Sequence, residues 1–117
     1  MATETQPDCL FCKIIRKEIP AEIVFEDDSV LAFRDIAPKA PTHILVIPKR
    51  HVDRLSDTTR ADEPWLGRLV AGLTEVARKL DLDDYRVVLN NGAGAGQVVF
   101  HVHVHLMAGR RFQWPAG

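Results

Sequence analysis

The chain has 117 residues, 46% of them hydrophobic, and a net charge of -1 with its five histidines neutral. That length fits one domain whose core can fold without disulfide staples. No block of Lys and Arg offers a nucleic-acid footprint, "PKRH" at 48–51 being too short, and no apolar run approaches the ~18–20 residues of a membrane span.

The opening "MATETQPD" lacks the cationic start and apolar middle of a signal peptide. Residues 1–8 read as a disordered N-terminus, with a single domain over 9–117. The expected location is the cytoplasm, where Cys9 and Cys12 would stay reduced. "CLFCKIIRKE" (9–18) is apolar on one side and is followed by Pro20, which predicts one or two helical turns. "EIVFEDD" (22–28) and "SVLAFRD" (29–35) read as strands joined by a turn at Asp27-Asp28. "IAPKAPT" (36–42) holds two prolines and is loop. "HILVIPK" (43–49), rich in β-branched residues, predicts a central buried strand.

Leu66, Leu69, Val70, Leu73, Val76, Ala77 and Leu80 recur at helical spacing, so one long helix buries that stripe. Asp62 and Glu63 suit its positive end, and Pro64 suits its first turn. "YRVVLNN" (85–91) returns to strand, "GAGAGQ" follows, and a histidine-bearing strand leads to the tail "RRFQWPAG". The order predicts an α+β domain: a mostly antiparallel sheet, one long helix and a short N-terminal helix.

"VFHVHVHLMAG" (99–109) sets His101, His103 and His105 at every second position. On a strand they would form a row on one face, roughly 6–7 Å apart, with Val102, Val104 and Leu106 pointing into the core. Such a row can hold a metal. It can also act on phosphate, with one imidazole as nucleophile and others as donors. Cys9 and Cys12 fit a small buried pair, a redox pair, or half of a tetrahedral metal site needing two histidines. "NNGAGAGQ" (90–97) is not followed by a helix and contains no G-K-[ST], which excludes dinucleotide and P-loop fingerprints. It remains a glycine-rich turn whose N–H groups can cradle an anion.

His-Val-His-Val-His-Leu-Met resembles the signature of the histidine triad (HIT) superfamily of nucleotide hydrolases and transferases. The likeness extends from "LFCKIIRKEIPA" through "FEDD", "LAFRDIAPKAPTHILVIPKRH" and "GQVVFHVHVH" to "WPAG", and is strongest to the Hint branch of purine nucleoside phosphoramidases. It implies a HIT-like fold and cleavage of the P–N bond in adenosine 5'-phosphoramidates or related nucleoside monophosphate adducts. His103 would be the nucleophile, forming a covalent nucleotidyl-imidazole. His105 would contact the phosphate and assist the leaving group, with His43 completing the set. Asn90, Gly96 and Gln97 would line the phosphate side. Asp35 would hold the ribose. Leu10, Phe11, Ile14, Ile19, Phe33 and Ile36 would wall the purine, and Trp114 would reach a partner protomer's site in a homodimer. The expected ligand is a purine nucleotide resembling AMP.

The same resemblance implies a structural zinc on Cys9, Cys12, His51 and His101, as in bacterial members that carry C-x-x-C. This closed S₂N₂ set has no open position. Val98 departs from the pattern, standing where Hint proteins commonly carry Ser or Thr, and Arg34 stands where some relatives have histidine. A dinucleoside polyphosphate hydrolase, or a nucleotide-binding regulatory protein with weak catalysis, are the alternatives.

Overall fold

The computed structural model describes residues 5–117. Residues 1–4 of the expected disordered start lie outside them, whereas the carbonyls of Gln6 and Pro7 accept hydrogen bonds from Arg16. Helix α1 is Leu10–Ile15, strand β1 Ile23–Glu26, β2 Val30–Arg34 and β3 Thr42–Pro48. Helix α2 spans Glu63–Lys79, and strands β4 (Arg86–Val88) and β5 (Val104–Ala108) follow. The strands form one antiparallel sheet in the order β1-β2-β3-β5-β4, with the β-branched run of β3 at its centre. Together this is the α+β architecture the sequence predicts, an antiparallel sheet with one long helix and a short N-terminal helix.

The side chains of the three inner strands divide by parity between two layers. Val30, Ala32, Ile44, Val46, Val104 and Leu106 face α2 and pack on Trp65, Leu69, Leu73, Val76 and Ala77. Leu31, Phe33, Leu45 and Ile47 face the other way and pack on Phe11 and Ile14 of α1. His105 lies on β5 between two residues of the α2 layer, so it projects into the α1 layer. The first layer is a packed core, and the second also carries His105.

The β1–β2 turn forms because the Asp27 carboxylate accepts from the N–H groups of Ser29 and Val30, both at 2.8 Å. In α2 the buried stripe is Trp65, Leu69, Gly72, Leu73, Val76 and Ala77. Val70, predicted on that stripe, is 61% exposed. Trp65 and Gly72 shift the apolar face away from it, Gly72 because a Cβ there would stand 3.0 Å from Val30.

The histidine strand is shorter than its alternation predicts. In the β3–β5 register Val104 pairs with Val46, so continuing it would set Val102 opposite Pro48. Proline has no N–H to give a ladder. The Val102 N–H instead donates to the Val52 carbonyl at 2.8 Å, and the Pro48 carbonyl accepts from the His101 ring. His101 and His103 thus stand on an irregular lead-in, free to turn to different partners. Val102, Val104 and Leu106 are buried against α2 as expected.

Candidate active site and metal centre

On the α1 side of the sheet lies a cavity of about 450 Å³, a size suited to a small-molecule ligand. Its walls include Leu10, Phe11, Ile14, Ile19, Phe33, Asp35, Ile36, Asn90, Gly96, His103 and His105, each named from the sequence. Arg34 and Val98, the two departures from the family pattern, also line it, and Pro20, Ala21, Ala37, Lys39, Leu45 and Val99, not foreseen as lining, complete it. The exposed surface of the walls is mostly apolar, with the histidines and Asp35 as polar points.

Hydrogen-bond partners fix the proton on each imidazole. The Lys39 backbone N–H donates to His43 Nδ1 at 3.0 Å, so His43 carries its proton on Nε2. That Nε2–H donates to His105 Nδ1 at 2.9 Å, with Asp35 Oδ2 at 3.5 Å from the same nitrogen. His105 therefore bears its proton on Nε2. His103 Nδ1–H donates to the His101 carbonyl at 2.7 Å, which leaves the lone pair on His103 Nε2.

All three rings are held neutral at pH 7. Burial pushes His43 and His103 below the ordinary value, the Asp35 charge opposing it in both. Burial, then His103 and His43, lowers His105 to about 4. His103 thus offers a free Nε2 lone pair beside the Nε2–H of His105. Asp35, His43 and His105 also bring three potential ligand atoms within 4.8 Å of one another. Because His43 Nε2 carries a proton, that trio is a hydrogen-bond relay and not an ion site.

A second cluster lies next to it. One ligand atom each from Cys9, Cys12, His51 and His101 fall within 4.8 Å of one another. Cys9 Sγ is 3.4 Å from His101 Nδ1, and Cys12 Sγ is 3.4 Å from His51 Nδ1 and 3.5 Å from His101 Nδ1. A tetrahedral ion with Zn–S near ~2.3 Å and Zn–N near ~2.05 Å requires S···N edges of about 3.6 Å. The cluster has that spacing without rearrangement.

The outer partners agree with ion binding. His101 Nε2–H donates to the Pro48 carbonyl at 3.0 Å, and His51 Nε2–H donates to the Asp53 carboxylate. Both rings thus aim a lone pair on Nδ1 inward, as ligating histidines do. Burial lowers fully buried His101 to about 4 and raises the Cys12 thiol to about 11. A thiol so placed becomes thiolate only beside a strong positive charge.

Residues 16–112 match the HIT domain family model. The chain belongs to the HIT family. It is 51% identical over 112 residues to the 14 kDa zinc-binding protein of Zea mays, covering 92% of this chain and 87% of that protein. It superposes on the crystal structure of a HIT family hydrolase from Legionella pneumophila with a TM-score of 0.91 at 46% identity, covering 94% of this chain and all of that one. The histidine triad nucleotide-binding protein of Candida albicans is similar at a TM-score of 0.80 and 35% identity, covering 94% of this chain and 85% of that one.

Gln97, assigned to the phosphate side through the HIT resemblance, is not on the cavity wall, and His43 meets the cavity through its bond to His105. Gln97 is only 3% exposed and its amide is spent on backbone. Oε1 accepts from the Gly92 N–H at 2.8 Å, and Nε2 donates to the carbonyls of Asp53 at 2.7 Å and Val99 at 3.1 Å. Trp114 is 84% exposed. The glycine-rich loop also differs from an open anion cradle. The N–H groups of Ala95, Gly96 and Gln97 turn back to the carbonyls of Gly92 and Ala93. Gly92 and Gly96, at φ of 91° and 100°, supply the left-handed corners that this closure needs.

Asp53 escaped the sequence reading, although "HVD" places a carboxylate two residues after His51, a recognisable outer-partner spacing. Lys39 escaped it too. Its contribution to His43 is a backbone N–H, for which the side-chain sequence carries no signal.

Proposed function

We propose that the protein is a nucleotide hydrolase of the Hint type, cleaving the P–N bond of adenosine 5'-phosphoramidates or related nucleoside monophosphate adducts. The observation that carries this reading is the hydrogen-bond pattern around the three histidines, from which each ring's proton is assigned. His103 Nε2 keeps its lone pair because its Nδ1–H is held by the His101 carbonyl. His105 keeps a proton on Nε2 because its Nδ1 accepts from His43. A nucleophile and a donor therefore adjoin, their ring centroids 5.1 Å apart.

His103 Nε2 would attack the α-phosphorus, forming an N–P bond as the bond to the leaving nitrogen breaks. The His105 Nε2–H would donate to the phosphate oxygens and assist the departing amine. Water would then break the N–P bond to His103 and release AMP. Phosphoryl transfer of this kind depends mostly on positioning and charge stabilisation. The apolar walls from Leu10 to Ile36 suit a purine, with Asp35 oriented to accept from ribose hydroxyls. Cys9, Cys12, His51 and His101 would hold a zinc ion whose role is structural, since four protein ligands leave no open position. The maize relative's name speaks for zinc, and that of the Candida protein for a nucleotide. A homodimer would cover Trp114.

The test is AMP release from adenosine 5'-phosphoramidate, with diadenosine triphosphate in parallel. Turnover of the phosphoramidate, with little of the triphosphate, supports the reading. Preference for the triphosphate refutes it in favour of a dinucleoside polyphosphate hydrolase. Tight AMP binding without turnover of either refutes it in favour of a regulatory protein, the reading that exposed, apolar Val98 favours.

A further inference from the structure

The four-ligand cluster and the cavity are joined by three separate contacts. The first is Phe11, which lies between the two cysteines in sequence and lines the cavity. Its ring meets His103 edge-on with centroids 5.1 Å apart and planes at 87°, and meets His101 at 5.9 Å. The second is His101 itself. Its ring faces the thiols while its backbone carbonyl receives the His103 Nδ1–H. The third runs through Asp53, whose carboxylate holds the His51 ring and whose carbonyl accepts from Gln97, the side chain that also takes the Gly92 N–H. Purine wall, nucleophile and glycine loop each touch a ligand residue or its direct partner.

We propose that metal binding at Cys9, Cys12, His51 and His101 and nucleotide binding in the adjoining cavity are thermodynamically coupled, with Phe11 as the principal positioning residue between them. The inference rests on the nucleotide reading above. The physical basis is α1, a helix of six residues. It is anchored by Phe11 and Ile14 on the sheet and, when the ion is present, by Cys12 and by Cys9 at its N-cap. With the ion bound, Leu10, Phe11 and Ile14 are fixed as cavity wall before the ligand arrives. Without it, the nucleotide must order that wall at the expense of its own affinity. Coupling is reciprocal, so the ligand must tighten metal retention by the same factor.

The experiment loads the full chain with Zn²⁺ and follows zinc transfer to a chromogenic chelator with and without saturating AMP. AMP binding is confirmed separately by calorimetry. Coupling predicts that AMP raises zinc affinity about tenfold, within the ~5–150-fold span usual for linked sites, and that stripping zinc weakens AMP by the same factor. Phe11→Ala must lower the factor to about threefold or less while zinc still binds, the His101 and Asp53 contacts carrying the remainder. Zinc affinity unchanged within about twofold by bound AMP overturns the inference and leaves the functional reading standing. A Phe11→Ala protein that loses stability but keeps the full factor overturns the role of Phe11. Absence of AMP binding removes the functional reading, and this inference with it. Measuring zinc transfer from the loaded protein keeps the test decisive if the stripped chain does not stay folded.

Discussion

Removing the metal should lower thermal stability by an amount set by chain length and mass action. An ion that binds only the folded state stabilises it by about 2.7 kcal/mol at a hundredfold excess over Kd and about 4.1 kcal/mol at a thousandfold excess. A domain of 117 residues unfolds with an entropy of about 0.25 kcal/mol/K. Stripping zinc should therefore lower Tm by roughly 11–17 °C over that range. The ligands make the loss hard to relieve locally, because Cys12 and His101 are fully buried. Differential scanning calorimetry before and after chelation, with metal content measured on the same samples, gives the shift. Cys12→Ser should melt near the stripped wild type and show no chelator response. A wild type that releases its zinc yet melts within about 2 °C of the loaded protein would refute the structural role assigned to the ion.

Further outcomes follow from His105, Gln97 and Val98. His105 is lowered to about 4 by burial first and by the neighbouring histidines second, so it stays neutral through mildly acidic pH. The kcat/KM profile should show its acid limb below the ordinary histidine value of ~6.5, because burial lowers His103 and His43 as well; a limb centred at that value would contradict the buried neutral relay. The same lowered value implies that stability from His105 is complete above about pH 6.5 and is lost as pH falls towards about 4, since the unfolded chain takes up the proton first. Gln97→Ala leaves the Gly92 N–H and two carbonyls without their partner, which should cost about 2–4 kcal/mol in chemical denaturation; a cost under about 0.5 kcal/mol would show the brace to be idle. Val98→Ser, at a position 86% exposed, should change stability by less than about 0.5 kcal/mol. It should raise turnover about tenfold by supplying a donor to the leaving group, and unchanged turnover would show that no hydroxyl is used there.

The sequence conveyed what periodicity and composition encode. The strand at 43–49, the hairpin at Asp27 and the long helix are patterns of side chains, and side-chain patterns survive folding. What it concealed depends on backbone. The shortening of β5 follows from the missing N–H of Pro48, visible only once the register with β3 is known. Val70 lost its place on the buried stripe because Gly72, with no side chain, carries the helix close to Val30. Gln97 sits where the resemblance expects a phosphate-side residue, yet its amide meets three backbone groups that only the folded loop assembles. Most cavity residues were legible because the resemblance covers nearly the whole chain. The tautomers were not, since Lys39 and His101 fix them through main-chain atoms.

The central claim is attack by His103 Nε2, and the most direct measurement is capture of its product. Rapid acid-free quenching during turnover of adenosine 5'-phosphoramidate, followed by peptide mass spectrometry, should find AMP attached to His103 in wild type and on no peptide in His103→Ala, which should also be inactive. Turnover by His103→Ala at a rate near wild type, or a nucleotidyl group on a different side chain, would contradict the account.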